Sequence, residues 1–112
     1  MRPVVYVAAP YSVGKVTANV HKAMDWGDTL IGQGFAPIIP HLDHFMELAE
    51  FEWPYETWLD VDFALLSKCD AVLRIEGESP GADREVAFAK ERGIPVFTDY
   101  VDLIDWRDGG AS

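Results

Sequence analysis

Basic residues are scarce in this chain: 9 Lys and Arg stand against 19 Asp and Glu, a formal net charge of −10. No basic patch is available to neutralise a run of phosphates, which excludes nonspecific binding to nucleic acid or to an acidic membrane. One small anion remains compatible, because a few backbone N–H groups and hydroxyls can hold a single phosphate locally. Cysteine is nearly missing. The lone Cys69 cannot close an internal disulfide and suits a reducing interior. Long apolar runs are missing too. The N-terminal MRPVVYVAAPYS is too brief for a membrane span and lacks the layout of a signal peptide, so the expected location is the cytoplasm. Internal repeats, linkers and low-complexity segments are also absent from the sequence.

What is present is an ordinary globular balance, 49% apolar and 25% charged over 112 residues, which fits one domain spanning 1–112. A core of this size is small enough that self-association would help it. The run VVYVAA is β-branched and aromatic throughout and closes at Pro10, as a strand covered on both faces does. Residues 17–32 follow helical spacing, with Val20, Ala23, Gly27, Leu30 and Ile31 on one face and Gly32 and Gly34 at the end. FAPIIPH reads as a second strand, placed near an edge by Pro37. A helix is expected over residues 42–51, and another over 56–68 after Pro54. DAVLRI reads as strand three, residues 80–92 as a helix capped by Gly93, IPVFTD as strand four and YVDLIDW as a short last helix. The order predicts an α/β fold, a Rossmann-like three-layer sandwich with a mainly parallel sheet of four or five strands. Ligands in such sheets bind beyond the strand carboxyl ends, where the loops PYSVGK, HLDH and EGESPGAD would meet.

Within GESPGADREVAFA, Ser79 suits an N-cap with Pro80 at the first helical position, and Asp83 and Glu85 favour the positive helix end. Helix stability is thus one reading of these acids. Chemistry is the other, because Glu85 falls three residues after Ala82 and three before Phe88, towards the packed side. Asp62 is similar. On ETWLDVDFALLSKC, the stripe Trp58, Val61, Leu65, Leu66 and Cys69 is expected to face the core, and Asp62 lies within it, whereas Asp60 faces water. A carboxylate there must be paired, hydrogen-bonded or protonated. Two such acids fit glycosidic chemistry, in which one attacks or stabilises the anomeric carbon and another handles the leaving-group proton. Tyr6 either orients a carboxylate through its hydroxyl or is simply core.

Other motifs are weaker. PYSVGKVT is not a Walker A loop, since Ala9 stands where the first glycine is needed and Val16 follows the Gly-Lys pair. The loop can still offer backbone N–H groups, Ser12 and Lys15 to an anion, or be an ordinary surface loop. In HLDH, His41, Asp43 and His44 are possible ligands, but the two histidines lack zinc-site spacing, so no metal is expected, and a histidine that lines a pocket or is simply solvated is the preferred reading. Trp53, Tyr55 and Trp58 either wall an aromatic pocket for a base or belong to the core.

The blocks VYVAAPYS and DFALLSKCDAVLRIEGESPGADREVAFAKERGIPVF resemble the nucleoside 2-deoxyribosyltransferase superfamily, over residues 3–14 and 58–97. That resemblance implies Glu85 as the nucleophile that forms a glycosyl-enzyme, Asp62 as the carboxylate that positions or protonates the leaving base, and Tyr6 as the residue orienting the nucleophile. It implies a phosphate-contacting role for Ser79, as in the branch of deoxynucleoside 5′-monophosphate N-glycosidases, where free-nucleoside transferases carry Asp. A hydroxyl can donate to phosphate where a carboxylate would repel it. The implied activity is hydrolysis of the base–sugar bond of a (deoxy)nucleoside 5′-monophosphate, with no metal or organic cofactor, in a homodimer. Ser79, Gly81, Ser12, Gly14, Lys15, His41 and Pro10 are the candidate substrate contacts. Two alternatives stand beside it: base exchange between free deoxynucleosides, and a nucleotide-binding module without turnover. The second is suggested by GADREVAFAKERGIPVF, which is similar to Rossmann-like nucleotide-binding proteins of the DNA-processing and cytokinin-activating kind.

Overall fold

The computed structural model describes residues 1–109. Four strands, β1 (Val4–Ala8), β2 (Ala36–Ile38), β3 (Ala71–Arg74) and β4 (Val96–Phe97), form one sheet in the order β2-β1-β3-β4. Every pairing is parallel, with Tyr6 opposite Ile38 on one side and Val72 on the other. Five α-helices connect or follow them: α1 (Val16–Gly32), α2 (His44–Leu48), α3 (Tyr55–Leu66), α4 (Pro80–Glu91) and α5 (Tyr100–Arg107). The chain is therefore an α/β, Rossmann-like three-layer sandwich. The sheet has four strands, and β2, which carries Pro37, is an edge strand.

The pleat sorts the core into two halves. Val5, Val7, Ala71 and Leu73 face one side and pack with Leu30, Phe35 and Leu103, backed by Trp26 and Trp106 of α1 and α5. Tyr6, Ala8 and Val72 face the other and pack with Leu66, Ala82 and Ala89 of α3 and α4. Central strands buried on both faces are what the unbroken apolar run of β1 requires. Phe63 and Phe88 stack at 4.4 Å and fasten α3 to α4, which carries Asp62 alongside the helix of Glu85.

Three expectations need correction. The helix expected over 42–51 is a 3-10 turn, Pro40–Asp43, followed by the short α2, with Glu50 at a positive φ of 64° breaking the continuation. Ile31 is exposed, because α1 buries only Val20, Ala23, Gly27 and Leu30. Val61 and Leu65 are exposed as well; α3 turns Leu59, Asp62, Phe63 and Leu66 inward instead. The inward face lies about one residue round from the stripe expected, and Asp62 stays on it. Among the described residues no helix is long and apolar enough to cross a membrane.

Candidate active site

The carboxyl ends of β1, β2 and β3 deliver three connections to one edge of the sheet, and α3 closes the side. Between them lies a cleft of about 350 Å³. Tyr11 and Ser12 line it from the first connection, Pro40, His41 and Asp43 from the second, Ser79–Ala82 and Glu85 from the third and α4, and Tyr55, Trp58, Leu59 and Asp62 from α3.

Glu85 is buried on the inner face of α4 between Ala82 and Ala89. The hydroxyl of Tyr6, itself fully buried in β1, donates to Glu85 Oε2. Burial pushes the Glu85 carboxyl up to about 8, with Asp62 adding to the rise while the Tyr6 hydroxyl and the Arg74 guanidinium oppose it. Tyr6 is raised far above the ordinary tyrosine range, by burial first and by Glu85 and Asp62 next, so it remains a proton donor. Asp62 is half-buried, with Oδ1 buried and without a hydrogen-bond partner, and burial together with the charge of Asp43 lifts it to about 7. Two carboxyls raised towards neutrality thus share one cleft, with Asp62 acting on Glu85 and Asp43 on Asp62.

Ser79 is the helix cap expected of it. It caps α4, its Oγ accepting from the Ala82 N–H at 3.1 Å with Pro80 next, and it is buried on the cleft wall. An accepting hydroxyl keeps its own proton for a second partner. His41 is buried; its Nε2 lies 2.8 Å from the Pro10 carbonyl and therefore carries the proton, and Nδ1 has no partner. Desolvation lowers its pKa against the opposing pull of the Pro10 and Ala9 carbonyls and of Asp43, which keeps the ring neutral. It meets Tyr11 edge-on at 5.7 Å.

Glu85, Asp62, Ser79, Gly81, Ser12 and His41 thus share the cleft, with Tyr6 bonded to Glu85. Pro10, Gly14 and Lys15 do not line it. Pro10 borders a second hollow of about 210 Å³, where it packs on Gly77, and its carbonyl holds His41. Gly14, at φ +88°, and Lys15, just ahead of α1, are exposed. Of the aromatic trio, Tyr55 and Trp58 wall the cleft, whereas Trp53 is exposed elsewhere. The side chain of His44 lies outside the described residues.

Two residues gain roles that the sequence reading missed. Asp43, considered there only as a metal ligand, lines the cleft and acts on Asp62. Arg74, at the end of β3, donates to the carbonyls of Ile75 and Gly77 and pairs with Asp83 at 3.1 Å. It straps the turn that presents Ser79 and cancels the charge of Asp83. The signal was an arginine inside the apolar run DAVLRI, since a charge ending a buried strand needs partners nearby. Among the described residues no group of three or more His, Cys, Asp or Glu is arranged to hold a metal ion.

A family model described as a domain of unknown function (DUF7768) matches residues 3–99, and the chain belongs to that family. No curated protein matches it.

Proposed function

We propose that this protein is an N-glycosidase that hydrolyses the base–sugar bond of a (deoxy)nucleoside 5′-monophosphate, related to the nucleoside 2-deoxyribosyltransferase superfamily. The observation that carries the reading is the buried Tyr6–Glu85 hydrogen bond, set beside Asp62 in one cleft. A carboxylate removed from water and aimed by a hydroxyl suits attack on a carbon that gains positive charge.

In the first step a Glu85 oxygen bonds to C1′ as the C1′–N bond breaks. The bonding pair leaves with the base nitrogen, which takes a proton from Asp62. In the second step Asp62, now a carboxylate, removes a proton from water; the water oxygen bonds to C1′ and Glu85 departs as a carboxylate. The resting affinities, about 8 for Glu85 and about 7 for Asp62, place a shared proton on Glu85 more than on Asp62. The reaction needs the opposite placement. The Tyr6 hydroxyl favours ionised Glu85, and positive charge developing at C1′ favours it further. Tyr55 and Trp58 offer faces for the base, and the Ser79 hydroxyl is a donor to the phosphate.

A homodimer belongs to the same reading. Leu42, Phe45, Leu48, Phe51, Trp53, Val61 and Leu65 are all exposed, which is more apolar surface in one stretch of chain than an isolated domain ordinarily leaves to water. One observation favours base exchange on free nucleosides instead: the cleft is lined by Asp43, Asp62 and Glu85, with neither Lys nor Arg among the described lining residues. Chromatography of a nucleoside and nucleoside monophosphate panel tests both. Release of free base and sugar 5-phosphate supports hydrolysis. New nucleosides on adding a second free base support exchange, and neither product from any member removes both.

A further inference from the structure

A phosphate dianion entering a cleft of this acidity needs a cation, and Arg84 is positioned to bring one. Arg84 stands three residues after Gly81 and four after Pro80, so it shares their side of α4, and both line the cleft. Helical side chains lean towards the N-terminus and cover the preceding turn, which is here the cleft mouth at Pro80–Gly81. The Arg84 guanidinium lies over the ring of Tyr55, 5.7 Å from its centre. Tyr55 itself lines the cleft, and its hydroxyl reaches the first turn of α4, 3.8 Å from where a side chain on Gly81 would begin. The ring therefore runs from Arg84 to the helix start beside the Ser79 hydroxyl. The adjacent Asp83 is occupied by Arg74 and does not claim Arg84.

We infer that Arg84, shelved on Tyr55 at the mouth of the cleft, is the specificity-determining residue for the 5′-phosphate, closing over it where the Ser79 hydroxyl and the start of α4 meet it. The inference rests on the glycosidase reading of this site. A planar fork of N–H donors matches a phosphate edge, and the aromatic shelf holds the exposed side chain close to its working position.

The test compares kcat/KM for a nucleoside 5′-monophosphate with that for the same nucleoside lacking phosphate, in wild type, Arg84→Ala and Arg84→Lys. Arg84→Ala is expected to lower the monophosphate preference by roughly 10- to 100-fold, through KM, the loss of one charge-assisted contact. Arg84→Lys is expected to restore part of it. A preference within twofold of wild type, or a fall confined to kcat, overturns the inference while leaving the glycosidase intact. If wild type cleaves no panel member, the glycosidase reading fails first. Calorimetric Kd values for monophosphate and nucleoside then decide Arg84: a selective loss of monophosphate affinity in Arg84→Ala supports it, and equal or no loss overturns it.

Discussion

Replacing Glu85 by Gln should make the protein more stable at neutral pH, and the size of the gain follows from the burial of the carboxyl. The ordinary glutamate value of 4.5 is raised to about 8 in the folded chain. Below pH 4.5 both folded and unfolded chains hold the proton. Above it the unfolded chain releases the proton while the folded chain keeps it, so stability falls with rising pH until about 8, where the folded chain releases it too. From pH 5 to pH 7 this group alone removes about 2–3 kcal/mol. For a chain of 112 residues that corresponds to about 10 °C in Tm. Gln keeps an acceptor for the Tyr6 hydroxyl and cannot ionise. Any fixed penalty of placing its amide there shifts the whole curve without changing its slope. Urea unfolding of wild type and Glu85→Gln at pH 5, 6, 7 and 8 reads the difference directly. The gap between them should widen by about 2–3 kcal/mol from pH 5 to pH 7. Parallel curves would mean that Glu85 titrates as a hydrated side chain, and the reasoning from burial would be wrong.

Other outcomes follow from the same geometry. Tyr6→Phe removes the donor that stabilises ionised Glu85, so kcat should fall by roughly 10- to 100-fold, with the alkaline limb of the pH–rate profile, set by the higher Glu85 value, moved to higher pH. The wild-type kcat/KM profile should be a bell with its maximum between about 7 and about 8, the span of the Asp62 and Glu85 values, because only the singly protonated pair is competent. Gly77→Ala should lower stability by about 1–3 kcal/mol in thermal unfolding, since Gly77 sits at φ +121° and a Cβ would come within 2.8 Å of the Pro10 ring. Light scattering at micromolar concentration should give twice the chain mass of 12.5 kDa, and Phe51→Glu together with Leu48→Glu should return it to a monomer.

Much of this arrangement was written into local patterns. The β-branched run of β1 and the strand DAVLRI announced central strands, Pro37 placed β2 at an edge, and the Ser79-Pro80 pair marked the start of α4. Glu85 and Asp62 were legible because each breaks an apolar spacing at a position that packing then has to accommodate. Between His41 and Pro54 the pattern failed. That stretch mixes helix formers with aromatics, and periodicity marks neither its 3-10 turn nor the positive φ at Glu50. The exposure of Ile31, Val61 and Leu65 was hidden for a related reason, since a helix bears more apolar residues than its buried stripe can accept. Arg74 went unnoticed because its partners, the Ile75 and Gly77 carbonyls and Asp83, come together only when the turn after β3 folds back.

The central claim is that Glu85 bonds to C1′. It is met most directly by measuring base release from nucleoside 5′-monophosphates by wild type and Glu85→Gln, both shown to be folded. Turnover should fall by about three orders of magnitude or more in the variant, although it is the more stable protein at pH 7. Equal rates from the two proteins would contradict the claim.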